Sequence, residues 1–160
     1  MRKLLVLVCL VLASVVPATA SAAARTSYRV DAEQKVLKLL NTIRSQHGLQ
    51  PLRFSSQLRS AAREHSGDMI QRDYFEHDGP SEHFDVRIRR HVDASLVGEN
   101  IAWGTGKYGT PEGIVNLWMH SAPHRRIILM GKLRRIGLGI AVGSFQGESH
   151  ASVATADFAS

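Results

Sequence analysis

Apolar positions recur every three or four residues in the first half of the chain and alternate with small residues near its end. A first amphipathic helix is predicted from Asp31, where Gln34 completes a helix-starting box, to Gly48. A second helix is predicted to start at Ser55 or Ser56, whose hydroxyl would cap it. The apolar faces of these helices carry Val36, Leu40 and Ile43 in the first, and Leu58, Ala61, Ala62, His65 and Met69 in the second.

The middle of the chain combines irregular segments with shorter helices. Residues 73–82 are polar and contain Gly79-Pro80, which indicates a loop, and a short helix is expected near residues 83–91. The segment Thr110-Pro111-Glu112 predicts a helix start, because it combines a capping hydroxyl, a proline at the first helical position and an acid near the positive end of the dipole. Ser121 is expected to cap one more short helix, which runs to Leu129.

The end of the chain changes from helical to strand periodicity. Apolar and small residues alternate through residues 136–143, and residues 153–158 also suit a strand. The SFQGES segment between them predicts a turn, so the two strands would form an antiparallel hairpin. A stable sheet needs a third strand, which residues 97–103 could supply. Helices first and strands last indicate an α+β domain with helices packed on a small sheet.

Residues 1–24 have the pattern of a secretory signal peptide. Arg2 and Lys3 precede an apolar core over residues 4–16 that is too short to span a membrane, so we expect no transmembrane anchor. Cleavage after Ala20 and cleavage after Ala24 both fit the small residues there. Residues 25–160 are expected to form a single exported domain, either released or kept in a periplasm.

Composition adds two constraints on the exported chain. Its only cysteine, Cys9, lies in the signal segment, so the domain must fold without disulfides around a hydrophobic core. Without Arg2 and Lys3 the chain has 18 basic and 14 acidic residues, a net charge of +4. This mild charge favours anionic envelope polymers or lipid headgroups as partners and indicates no specific nucleic acid. We expect a monomer, with the basic clusters solvated, namely Arg87-Arg89-Arg90, Arg125-Arg126 and Lys132-Arg134-Arg135.

Three segments, DYFEHDG, GENIAWG and WMHSAPHRRIIL, each contain a group that binds metals or exchanges protons near neutral pH. These groups are His77, Glu99 and His124. If Ser121 caps the last short helix, His124 lies in its first turn, where the helix dipole favours the neutral imidazole. Two neutral histidines and a carboxylate could hold a divalent metal such as zinc and leave one position open to water. With eight histidines and fourteen acids in the chain, residue types alone make this a weak signal.

Other candidate residues are given structural interpretations. His65 is interpreted as a hydrogen-bonded core histidine, and His47 as a cation that suits the end of a helix. Trp103 and Trp118 are interpreted as core aromatics. Two serines, Ser66 and Ser121, lie outside any nucleophile-elbow pattern, and no role is assigned to His83, His91, His120 or His150.

These segments, with NTIRSQHGLQPLRFSSQLRSAAREHSGDM before them and RIGLGIAV after them, resemble the CAP superfamily, also called SCP-like: cysteine-rich secretory proteins, antigen 5 and plant pathogenesis-related proteins. The resemblance covers residues 31–158 and is strongest to the compact bacterial branch. It implies a three-layer α-β-α sandwich, with a small antiparallel sheet between helices and a central cleft where two histidines and two acids meet.

The resemblance also implies roles for particular positions. His77 matches the first family histidine, Glu99 the first acid and His124 the second histidine. The second acid falls on Ser121, and the loss of one carboxylate predicts weaker binding of a divalent cation. Glu99 is expected to turn into the cleft, where hydrogen bonds from His77 or His124 would offset the cost of removing it from water.

Three functions are compatible with the sequence. We favour a secreted, non-enzymatic domain that binds a small ligand, either a lipid or a divalent metal, in a cleft formed by His77, Glu99 and His124. The second is a metal-dependent or histidine-based hydrolase, such as a protease, acting on peptide or envelope substrates; the same residues are its catalytic candidates, although the chain has no HExxH helix. The third is a structural or adhesive envelope protein in which these side chains hold loops on the helices through buried hydrogen bonds.

Overall fold

A computed structural model describes residues 26–160. The predicted signal peptide, with Cys9 and both cleavage positions, lies outside the described residues. Within residues 26–160, none of the helices is both long enough and apolar enough to cross a membrane.

The described chain contains five helices and five strands, and the two longest strands come last. The helices are α1 (Val30–Gln46), α2 (Ser56–Arg72), α3 (Phe84–His91), α4 (Pro111–His120) and α5 (Ala122–Ile128). The strands are β1 (Ser27–Tyr28), β2 (Arg53–Phe54), β3 (Val97–Gly104), β4 (Arg135–Phe145) and β5 (Glu148–Ala159). A short 3-10 helix occupies Gly106–Gly109. The predicted helices, the C-terminal hairpin and the third strand are all confirmed, and β1 and β2 are additional.

The strands form one sheet with the order β1-β4-β5-β3, and β2 pairs with the first residues of β4, while β1 pairs further along the same strand. Every pairing is antiparallel except the two-residue pairing of β2 with β4. Gln146 and Gly147 join β4 to β5 with φ values of 50° and 80°, as a two-residue hairpin turn requires. Glu99 of β3 lies opposite Asp157 of β5, which lies opposite Gly137 of β4.

The helices cover both faces of the sheet and complete a three-layer sandwich. One face contacts α2, which in turn packs against α3, while the other contacts α1, α4 and α5. The largest apolar cluster fills the space on the α1 and α4 side, where Leu40, Trp118 and Ile136 are buried. The α-β-α architecture implied by the family resemblance is therefore confirmed.

Large apolar residues alternate with glycines in β4, and this alternation explains how closely the helices approach the sheet. Ile136, Leu138 and Ile140 contribute to the apolar cluster on one face. Gly137 and Gly139 lie on the other face, where a Cβ atom would overlap the backbone of α2. The backbones of α2 and β4 are thus in direct contact, which is possible only because glycine has no side chain.

Two helix starts follow the predicted capping chemistry. The Ser55 hydroxyl accepts a hydrogen bond from the Leu58 N–H at 3.3 Å, and the Thr110 hydroxyl accepts one from the Gly113 N–H at 3.1 Å. The helix-starting box predicted at Asp31 is wrong, because the chain passes directly from β1 into the helix and Arg29 occupies the N-cap without a side-chain bond. Asp31 lies in the first turn, where its charge suits the helix dipole.

A buried arginine that the pattern analysis overlooked joins α1 to the segment after α5. Arg44 is 0% exposed. Its guanidinium donates hydrogen bonds to four backbone carbonyls, those of Gln50, Ile128, Met130 and Leu133. These bonds satisfy polar groups that would otherwise be buried without partners. They also fix the path of residues 128–133.

The structural interpretations of His65, Trp118 and Trp103 agree with the fold. His65 is buried, with Nε2 lying 2.9 Å from the carbonyl oxygen of Glu76. The Trp118 indole donates a hydrogen bond to the Ile101 carbonyl at 3.0 Å, which satisfies its buried N–H. Trp103 packs edge-on against Phe145, with 5.4 Å between ring centroids.

Candidate functional site

Glu99 lies on the outer strand β3, with its carboxylate on the face covered by α2 and α3. The side chain is fully buried. One oxygen lies 2.8 Å from Nδ1 of His77, and the other accepts a hydrogen bond from the guanidinium of Arg87. Two charged or chargeable donors therefore replace water around this carboxylate.

Arg87 is a component of the site, and its interpretation as solvated surface is wrong. It is only 3% exposed and also donates a hydrogen bond to the His77 carbonyl at 3.3 Å. The reason is its position in α3, three residues after Phe84 and next to Ile88, on the side of the helix that faces the domain. Helical spacing from Phe84 was the sequence signal that could have identified it.

His77 occupies the loop between α2 and α3 and is the solvent-facing member of this group. Its side chain is 47% exposed. The hydrogen bond with Glu99 raises the pKa of the imidazole, and partial burial opposes that shift. The contact with Glu99 therefore favours the imidazolium form of His77 more than water would.

His124 lies on the other side of β3 from the Glu99 carboxylate. It is in the first turn of α5, and its backbone carbonyl accepts a hydrogen bond from Asn100, the residue after Glu99, whose side chain points to the opposite face. Burial lowers the pKa of His124, and the charge of His77 lowers it further. The two imidazoles are thus near enough to interact electrostatically, but the hydrogen bonds of Glu99 come from His77 and Arg87.

Ser121 makes a different contact from the one expected. It occupies the N-cap position of α5, but its hydroxyl makes no hydrogen bond to the helix backbone. The hydroxyl oxygen instead lies 2.6 Å from Nδ1 of His124. The capping prediction is therefore wrong in its chemistry, because the histidine competes successfully for the serine side chain.

The fit of a divalent metal depends on the donors that these residues leave available. In residues 26–160 no group of three or more His, Cys, Asp or Glu side chains is arranged to hold an ion. Both oxygens of Glu99 are already engaged, and the Arg87 cation lies beside one of them. A metal on Glu99 would have to displace this arginine or lie close to its charge. The residues present do not fit such an ion, and the zinc site at His77, Glu99 and His124 stays a sequence prediction.

Asp157 is a buried acid that the sequence analysis did not consider. It is 0% exposed, and neither carboxyl oxygen has a hydrogen-bond partner among the described residues. Burial raises the pKa of Asp157 well above its ordinary value, and the facing Glu99 carboxylate raises it further, although no atom pair between the two has hydrogen-bond geometry. Burial and the neighbouring carboxylate thus both favour the protonated form of Asp157.

A cleft of about 340 Å³ opens beside His77 and Glu99. Its polar edge consists of these two residues and Asp78, whose carboxylate already binds His83 and the Phe84 N–H. The apolar lining comes from α3, the start of β3 and the segment around the end of α5, with Phe84, Leu96, Val97, Ile127, Met130 and Leu133. The cleft thus combines one protonatable ring with a mainly apolar surface.

Comparison with protein families assigns the chain to a family. The model of the CAP family, described as the cysteine-rich secretory protein family, matches residues 37–157. That range contains His77, Glu99 and His124. The chain belongs to the CAP family. The resemblance drawn from the three motifs is confirmed.

Two curated relatives of this CAP domain come from Bacillus subtilis strain 168. The chain is 38% identical over 109 residues to uncharacterized protein YkwD, covering 67% of this chain and 41% of the relative. It is 32% identical over 111 residues to uncharacterized membrane protein YlbC, covering 68% of this chain and 31% of the relative. The chain therefore spans less than half the length of either protein.

Solved structures share the CAP fold. An extracellular protein containing an SCP domain from Bacillus anthracis is 30% identical, with a TM-score of 0.68, and the match covers 81% of this chain and 40% of that one. An outer surface protein from Borrelia burgdorferi is 15% identical, with a TM-score of 0.72 and coverage of 84% and 98%. The second likeness concerns the fold alone.

The two histidines of the CAP site are expected to titrate in opposite directions from the ordinary value near 6.5. His77 should hold its proton to higher pH and His124 should lose its proton at lower pH. NMR titration of the imidazole Cε1–H signals measures both midpoints. Glu99→Gln should lower the His77 midpoint, because it removes the charged hydrogen-bond partner. An unchanged midpoint would contradict the His77–Glu99 contact.

The raised pKa of His77 also makes the stability of the domain depend on pH. Since folding raises the pKa of His77, its contact with Glu99 contributes stability that is complete below the unfolded pKa near 6.5 and is lost as pH rises through the folded pKa.

Replacing Asp157 by asparagine should stabilise the CAP domain, and the gain should grow with pH. Folded Asp157 keeps a proton that the unfolded chain releases above its ordinary pKa of 3.8, so wild-type stability falls as pH rises between the unfolded and folded values. The variant lacks this loss. The difference in unfolding free energy between the variant and the wild type should therefore increase by up to about 1.4 kcal/mol per pH unit in that range. Urea unfolding of both proteins from pH 4 to 7 measures it. A difference that does not vary with pH would mean that Asp157 is ionised in the fold.

Proposed function

We propose that this CAP domain is an exported, non-enzymatic protein that binds a lipid in the cleft beside His77. The observation that carries the proposal is the composition of the cleft, where a mainly apolar lining adjoins a single exposed imidazole. Small-molecule sites typically combine apolar walls with a few polar groups that orient the ligand. A lipid offers the matching combination of acyl chain and polar headgroup.

The charges around the cleft favour a headgroup that accepts hydrogen bonds or carries negative charge. Arg87 compensates the charge of Glu99, and the Asp78 carboxylate is engaged by His83 and a backbone N–H. His77, whose pKa is raised, is therefore the group best placed to meet a ligand. A phosphate or hydroxyl headgroup would suit this imidazolium.

Export is supported by the N-terminal sequence pattern and by the similar proteins. Residues 1–24 have the composition of a signal peptide. One similar solved structure is an extracellular protein and another is an outer surface protein. An exported domain of net charge +4 would meet anionic lipids at the cell envelope.

Titration with a soluble short-chain phosphatidylglycerol tests the proposal. Calorimetry should give saturable binding, with NMR shifts at His77 and along the apolar lining. Met130→Glu, which places a charge in that lining, should weaken binding at least about ten-fold. Met119→Glu is the matched control, because Met119 is also partly buried but lies in a groove between α1 and α4.

The pair of methionine variants also separates the alternatives. Equal effects of both variants, or none from either, would contradict lipid binding in this cleft. A parallel zinc titration tests the metal alternative, which requires that zinc shift both His77 and His124 and that Glu99→Gln abolish this shift. A purely structural site would bind neither probe.

The hydrolase alternative has less support from the geometry. Among residues 26–160, the arrangement that resembles a nucleophile and base is Ser121 with His124, whose hydroxyl oxygen and ring nitrogen lie 2.6 Å apart. In the part of the chain that the structure describes, no carboxylate hydrogen bonds to His124 to orient the ring. Turnover of peptide or envelope substrate that is lost in a folded His124→Ala variant would support hydrolysis over binding.

A further inference from the structure

A second cavity, of about 270 Å³, lies beside β4 between α1, β2 and the start of α2. It shares no lining residue with the cleft at His77. Its floor is Ile136 and Leu138 of β4, which are buried. The apolar walls are completed by Val30, Leu37 and Phe54.

The rim of this cavity exposes large apolar side chains. Phe54 is 53% exposed and Val30 is 42% exposed. They are two of the five large hydrophobic residues that are exposed within residues 26–160. Exposed apolar surface gathered beside a cavity is typical of a ligand-binding site.

Two charged side chains line the cavity. Glu33 is paired with an arginine, and Arg59 has no carboxylate partner among residues 26–160. The Glu33 carboxylate is buried and receives two hydrogen bonds from Arg63, each of 2.8 Å. The Arg59 guanidinium lies 5.1 Å from the centroid of the Phe54 ring, a contact that uses none of its N–H donors. In residues 26–160 no acceptor binds this guanidinium and no carboxylate pairs with it, and residues 1–25 contain no acid.

Size and charge together define the class of ligand. A dry protein cavity of about 150 Å³ accommodates benzene, so this cavity corresponds to about ten non-hydrogen atoms. Arginine binds a carboxylate through two parallel hydrogen bonds. We infer that the cavity is a binding site for a medium-chain carboxylate, with its acyl chain over Ile136 and Leu138 and its carboxylate on Arg59. This site is separate from the proposed lipid cleft.

Sodium octanoate is the probe for this site, and octan-1-ol is the uncharged control. NMR titration of the 15N-labelled protein with octanoate should give saturable shifts in residues 30–37, 53–59 and 136–138. Arg59→Gln should weaken octanoate binding about ten-fold, equivalent to about 1.4 kcal/mol, and should leave octan-1-ol binding unchanged. Arg53→Gln is the matched control, because Arg53 is an exposed arginine of the same strand as Phe54 but lies outside the cavity lining.

A second variant tests the apolar wall. Leu37→Glu places a carboxylate in the cavity and should abolish octanoate binding, while Met130→Glu should have no effect because Met130 belongs to the other cleft. The inference is wrong if octanoate gives no saturable shifts, if octanoate and octan-1-ol bind equally well, or if Arg53→Gln weakens binding as much as Arg59→Gln. Failure of the lipid cleft would leave these results unchanged.

Discussion

Glu99→Gln is expected to destabilise the domain by about 3–5 kcal/mol. The substitution preserves shape but leaves the guanidinium of Arg87 buried beside a neutral amide, and an unpaired buried charge is costly. It also removes the charged partner of His77. Since small domains have a total stability of about 5–15 kcal/mol, this loss should be evident as a large fall in the urea midpoint at pH 7.

Glu112→Gln provides the matched control for this experiment. Glu112 forms an ion pair with Lys35 at 3.5 Å, in which both side chains are more than half exposed. Exposed pairs contribute little, so this variant should lose less than about 1 kcal/mol. The double variant Glu99→Gln with Arg87→Met should recover part of the stability, because it removes the unpaired charge. A loss below about 1 kcal/mol in Glu99→Gln would show that the buried pair does not form.

Gly137→Ala is expected to destabilise the domain by about 3 kcal/mol or more. A methyl group at this position overlaps backbone atoms of Arg59 and Leu58, which cannot move aside as the end of a flexible side chain would. The helix α2 must shift away from β4, and overpacking of this kind costs about 1–3 kcal/mol, with larger values where the backbone is displaced. Thermal and urea unfolding measure the change.

Gly131→Ala is the control for Gly137→Ala. The nearest atom to a Cβ at Gly131 is Leu49 Cδ2, at 3.6 Å, which is an ordinary contact, and the residue does not have a positive φ. The stability of this variant should change by no more than about 0.5 kcal/mol. If both glycines tolerate alanine equally, α2 and β4 are not in direct backbone contact.

The order and type of the main elements could be predicted from the sequence because local signals agreed with the fold. Ser55 and Thr110 have the side chains that cap helices, and the alternation in residues 136–143 matches a strand with two different faces. The strands β1 and β2 could not be predicted. Each has two residues and exists only through pairing with β4, so no local pattern marks it.

The candidate site was only partly predictable, because its buried charges resemble surface residues in a linear reading. Motif positions selected His77 and Glu99, which are in contact. Arg87 was placed in a solvated cluster, although its spacing from Phe84 sets it on the inner side of α3. Asp157 lies in the run SVATADFA, which is buried on both faces of the sheet. A polar residue in such a run has no solvated face available.

The buried Arg44 makes the shape of the cleft depend on a helix that does not line it. Its guanidinium donates hydrogen bonds to the carbonyls of Ile128, Met130 and Leu133. The side chains of Met130 and Leu133 form part of the wall of the cleft beside His77. The shape of this cleft is therefore open to adjustment from a distance. Divergence along α1 could change that shape while every residue that lines the cleft stays the same.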